Sequence, residues 1–142
     1  MSKKNLKSLR KKIDKIDQEL LVLIQQRAEH AVNIGNIKSK INPKDPYYKP
    51  DRETKILRNI LNLNKKGLLP DTMIRVIYKE LISGCLSLEE TLKVAYLGPE
   101  GTHSEAAVQN QFGSQVIRVP SSTIEDVFCQ VINDEVLSLI HI

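Results

Sequence analysis

Apolar residues at Leu6, Leu9, Ile13, Ile16, Leu20, Leu23, Ala31 and Ile34 fall at helical spacing, with few breakers before Asn42-Pro43. The pattern predicts one helix over residues 5–41, roughly 50 Å long. Gly35 is its weak point, costing about 1 kcal/mol relative to alanine unless a close helix contact requires it. INPKDPYYKPD, with three prolines in eleven residues, cannot continue a helix and reads as an extended loop. A second helix is expected from Pro50 or Asp51, with Ile56, Leu57, Ile60, Leu61 and Leu63 on its apolar face and Gly67 as its C′ residue. A third starts after Pro70-Asp71, carries Ile74, Ile77, Tyr78, Leu81, Cys85, Leu88 and Leu92 on one stripe, and runs to about residue 92.

Beyond that point the period changes. Residues 94–97 form a short β-type run, 98–101 a turn, Ser104 an N-cap, VIRVP a second strand and TIEDVFCQVIND a further helix. The predicted fold is mainly α over residues 1–92, followed by a truncated α/β fragment, β-α-β-α, over 93–136. The last six residues, LSLIHI, are what CTG TCT CTT ATA CAC ATC encodes, the end of a transposase-based sequencing adaptor read in frame. Residues 137–142 are therefore expected to be a non-native tail.

Several charges interrupt the apolar stripes. Arg27 falls four residues after Leu23 and four before Ala31, Lys38 falls four after Ile34, and Arg10 sits at the stripe's edge beside Leu9. Glu53 shares a face with Ile56, Leu57 and Ile60 and follows Arg52, while Glu89 falls four after Cys85 on the third stripe. Buried charges are costly unless an anionic partner or a wet pocket accompanies them. The set is either an internal salt-bridge network or a ligand site. Four cations against two carboxylates leave an excess of positive charge that suits a small dianion. Any chemistry would work by positioning and electrostatics, because the sequence contains no Ser-His-Asp arrangement, metal-ligand cluster or P-loop. A helix this long also cannot bury its stripe against two shorter ones, so a two-fold dimer through the long helices is expected.

Composition narrows the choice. With 142 residues, 41% hydrophobic and 27% charged, the chain suits one globular domain plus part of another. No run reaches the length of a membrane span and the start has no signal-peptide h-region, so no membrane is expected and the cytoplasm is the default compartment. Cys85 and Cys129 lie far apart with no CxxC, which suggests two reduced, structural cysteines with no metal and no disulfide. The net charge of +4 fits an anionic substrate or nucleic acid. Only 4% aromatics, no tryptophan and inward arginines argue against nucleic acid, and the lysines of KKNLKSLRKK read as a solvated helix face.

SLRKKIDKIDQELLVLIQQRAEHAVNIGNIK followed by PDRE resembles the all-helical chorismate mutase family, and LSLEETLKVAYLGPEGTHSEAA resembles the start of prephenate dehydratase. Together they are similar to the bifunctional chorismate mutase/prephenate dehydratase family of bacterial phenylalanine biosynthesis. The resemblance implies an intertwined helical homodimer that converts chorismate to prephenate by a pericyclic rearrangement, without a cofactor. It implies that Arg27, and Arg10 from the partner chain, hold substrate carboxylates, and that Lys38 binds a carboxylate and the ether oxygen. Glu53 would receive the substrate hydroxyl, with Arg52 as electrostatic support. Glu89 stands where some relatives place a glutamine that donates to the ether oxygen, and it can donate only when protonated. Lys49 and Cys85 stand where some relatives carry aspartate and serine, and Cys85 is counted with the substrate-binding set. GPEGTHSEAA reads either as a loop of the dehydratase cleft or as a glycine turn before a capped helix. The dehydratase catalytic segment and the phenylalanine-binding regulatory domain have no counterpart here, so neither dehydration nor feedback inhibition through that domain is expected. Two alternatives remain at this point: a non-catalytic helical dimerisation module and a basic helical nucleic-acid binder.

Overall fold

A computed structural model describes residues 3–42, 48–133, 136 and 138–140. Helix α1 (Lys3–Ile41) is a single helix of 39 residues, about 58 Å long. The expected proline-rich loop falls largely on residues 43–47, outside the described residues. Helix α2 (Pro50–Leu63) starts with Pro50 in its first turn, beside Asp51 and Glu53 at the positive end of its dipole. A 3-10 turn (Asn64–Lys66) ends it, and helix α3 (Asp71–Ser87) follows. Gly67 is not a left-handed C′ residue: its backbone is extended at φ −73°, ψ 150°. A Cβ there would collide with the Asn64 side chain, whose amide donates to Leu69 O at 3.0 Å and Asp71 Oδ1 at 2.8 Å.

Helix α3 stops five residues short of the expected end. The Glu89 and Glu90 N–H groups both donate to Leu86 O, so Glu89 sits in the terminating turn rather than on the helix. Leu92 leaves the helical stripe altogether. It joins Val94, Tyr96, Val108, Phe112 and Val116 in a second core, and that burial outweighs one more helical turn.

The α/β part runs β1 (Lys93–Leu97), α4 (His103–Phe112), β2 (Ile117–Ser121), α5 (Ile124–Ile132) and β3 (Ser138–Ile140), in a parallel sheet of order β2-β1-β3. β1 is buried on both faces: Val94 and Tyr96 meet the core that includes α4, and Ala95 meets Val127 and Val136. The third strand goes beyond the expected β-α-β-α order. It lies in the stretch expected to be a non-native tail. Thr102 rather than Ser104 is the N-cap of α4. Glu105 reaches back to accept the Gly101 N–H at 2.6 Å, and Gly101 takes φ +80°, which glycine tolerates.

α4 docks on α3. The Lys79 ammonium donates to Asn110 O at 2.6 Å and Gln111 O at 3.3 Å, meeting the negative end of the α4 dipole. Glu80 accepts from the Ser114 N–H at 3.2 Å and hydroxyl at 2.6 Å. Gly113, at φ +82°, sits so close to Ser83 that a Cβ would lie 2.6 Å from the serine's. Cys85 is buried, whereas Cys129 is exposed on α5 and cannot be a core residue.

Candidate active site

Between α1, α2 and α3 lies a cavity of about 470 Å³. Arg27, Ala31, Ile34 and Lys38 reach it from successive turns of α1, a row that the 3.6-residue period sets on one face. Arg52, Glu53 and Ile56 come from the first turns of α2, and Ile82, Cys85, Leu86 and Glu89 from the end of α3 and the turn after it. Of the seven residues singled out from sequence, Arg27, Lys38, Arg52, Glu53, Cys85 and Glu89 line this one space.

Arg10 does not. It is exposed on α1, seventeen residues before Arg27 on the same helix, which is about 25 Å along the axis. The single interior expected for all the charged positions therefore does not exist within one chain.

Glu89 is more confined than the Lys38 ammonium beside it. Its side chain is 9% exposed, with Oε2 3.9 Å from Lys38 Nζ, and that oxygen is buried without a hydrogen-bond partner. Burial pushes its carboxyl group above the usual carboxylate range, opposed by Lys38 and then Arg27. Gly35 makes the approach possible, since a Cβ there would lie 3.1 Å from Glu89 Cγ and 3.3 Å from Oε2. Burial also raises the Glu53 carboxyl group, opposed by Lys79 and by a hydrogen bond from Tyr48. Arg27 Nη1 makes a long contact, 3.5 Å, to Leu81 O, which ties α1 to α3 while the guanidinium faces the cavity.

Among the described residues the lining carries the cations Arg27, Lys38, Lys49 and Arg52 and the carboxylates Glu53 and Glu89, beside an apolar wall. Such a site can hold a small anion and stabilise negative charge developing on it. Sequence reasoning missed His30 and Tyr48, which also line the cavity. His30 was legible, three after Arg27 on the same helical face. Tyr48 was not, because it follows a proline-rich stretch with no periodicity to orient it.

Among the described residues no group of side chains is arranged to hold a metal ion, and no helix is long and apolar enough to cross a membrane. Residues 9–90 match the family model of chorismate mutase type II, and residues 94–140 match that of prephenate dehydratase. A bifunctional chorismate mutase/prephenate dehydratase of Aquifex aeolicus is 49% identical over 129 residues, 89% of this chain and 35% of the relative. Proteins of the same name from Stutzerimonas stutzeri and Pseudomonas aeruginosa are 43% and 42% identical, again over 89% of this chain and 35% of the relative. The chain thus spans about 35% of the length of the curated relatives it matches.

Proposed function

The chain belongs to the chorismate mutase type II family, and on that premise we propose that its helical module rearranges chorismate to prephenate in the cavity between α1, α2 and α3, as a homodimer. Supporting it most directly is Glu89, whose buried oxygen without a hydrogen-bond partner faces two cations across a cavity sized for a small molecule.

Chorismate carries two carboxylates, an ether oxygen and a hydroxyl. Arg27 holds one carboxylate, and Lys38 binds a carboxylate and the ether oxygen. Glu53 accepts the hydroxyl, and Arg52 adds positive potential. As the C–O bond breaks, negative charge grows on the ether oxygen, where Lys38 and protonated Glu89 meet it. No covalent intermediate with the protein is needed, because fixing the compact conformer and stabilising that charge lower the barrier. The remaining carboxylate is met by the partner's Arg10. Cys85 forms part of the apolar wall and confines the ring.

Dimerisation is supported by the unpartnered stripe of α1, where Leu6, Leu9, Ile13, Ile16, Leu20 and Leu23 are 50–61% exposed in a single chain. Residues 1–92 form the mutase module in this reading and 93–136 the beginning of a dehydratase unit. The second activity in the relatives' name, prephenate dehydratase, is proposed only for the whole protein. The setting that goes with both is the cytoplasm.

The test is chorismate disappearance followed by absorbance. Arg27→Ala should lower kcat/KM by about 100-fold or more, the scale of losing a charged, desolvated contact, while sedimentation still shows a dimer. Wild-type turnover in that variant, or an inert parent chain, would sink the proposal.

A further inference from the structure

A second cavity, of about 490 Å³, opens on a different face of α2. Arg58 reaches it from α2, Arg75 and Lys79 from α3, and Gln111 from the C-terminal end of α4, so it bridges the helical module and the α/β part. Leu57, which is buried, and Leu61 give it an apolar floor. Tyr48 and Glu53 line both cavities, and the Tyr48 ring centroid lies 5.1 Å from that of Phe112 on α4, at a tilt of 55°.

Helix stability does not account for these cations. Arg75 and Lys79 stand four residues apart on α3, and like charges at that spacing weaken a helix. Among the described residues neither Arg58 nor Arg75 is ion-paired, and Glu53 is the one carboxylate among those lining the cavity. The Lys79 ammonium has three protons and gives two to the Asn110 and Gln111 carbonyl oxygens, which leaves one for an anion. Guanidinium groups on two different helices suit two separate acidic groups, each met by a planar fork. The leucine floor suits a carbon body between them.

We infer that this second cavity is a binding site for a small organic dicarboxylate, held by Arg58, Arg75 and Lys79 and lying against Leu57 and Leu61. Arg58 and Arg75 do not line the first cavity, so the site is distinct from the proposed mutase chemistry. Glu53 opposes its occupant, because its charge repels a dianion and competes with it for Lys79.

Calorimetric titration of phthalate into the full chain tests this, with Arg27→Ala present throughout to weaken binding in the first cavity. Phthalate should bind saturably, and sulfate, equally charged but without a carbon body, about tenfold or more weakly, the scale of burying one apolar ring face. Arg58→Gln and Arg75→Gln should each weaken phthalate about tenfold or more, as expected for one charge-assisted contact. Both side chains are exposed, so neither change removes core packing, and an unchanged thermal melt verifies it. Glu53→Gln should tighten binding about threefold, the scale of one screened charge pair. No saturable binding, phthalate affinity that neither arginine variant lowers, sulfate bound equally well, or a weaker complex in Glu53→Gln would each overturn the inference. None of these outcomes touches chorismate turnover, so the mutase reading stands or falls by its own assay.

Discussion

Glu89 concentrates the electrostatics of the site in one side chain. Burial raises its carboxyl group above the usual range, against Lys38 and Arg27, so the folded protein holds that proton more tightly than the unfolded chain does. Folding stability from this group is therefore fully present in acid and is lost as pH rises from the unfolded value through the raised folded value. Glu89→Gln removes the penalty: at neutral pH it should melt higher by about 2–4 °C, corresponding to ~1 kcal/mol in a chain of this size, and in acid it should melt with the wild type. Activity should follow the same proton. On the proposed mechanism the wild type, needing a protonated donor at the ether oxygen, should gain rate toward acid pH, whereas the amide donates at every pH and its profile should be flat. Parallel thermal melts and pH–rate profiles check both. An unchanged profile in the variant would remove Glu89 from the chemistry.

At the scale of elements, periodicity located α1, α2 and the start of α3, because each gathers its apolar residues in a stripe written at helical spacing. It misjudged the end of α3 because Leu88 and Leu92 continue the spacing by coincidence; Leu92 is 4% exposed in a different core. Gly35 shows how a local weakness supports the site. Gly35→Ala should favour helix α1 by about 1 kcal/mol, yet its Cβ would press on Glu89 from 3.1 Å and push the carboxyl group off its position. The expected result is an undiminished melting temperature with kcat/KM down by on the order of tenfold. Calorimetry with kinetics on the same sample separates the two effects, and an equally active variant would show that Glu89 has room to adapt.

For the whole molecule, the charges of Arg27, Lys38 and Glu53 that line the cavity were legible because a charge on an apolar stripe is conspicuous in a helix, whereas Arg52 is exposed and Glu89 sits in the turn after α3. The link from Tyr48 to α4 was not legible. It joins a loop residue to an element about sixty positions later, and no one-dimensional pattern registers a contact between parts that differ in fold class. The spread of α1 has a further consequence. With Arg10 and Arg27 about 25 Å apart on one rigid helix, each proposed site draws the first from one subunit and the second from the other. Chains carrying Arg10→Ala and chains carrying Arg27→Ala should each be inactive alone. Co-expressed and paired at random, they should regain about a quarter of the wild-type sites, since in a mixed dimer one pocket inherits both lesions and the other inherits neither. Assays of the co-expressed pair against each variant alone would reveal that rescue, and its absence would mean that each pocket is built from a single chain. Two faults at opposite ends of one helix would then be complementary alleles, and the gene's unit of function would be the pair rather than the chain.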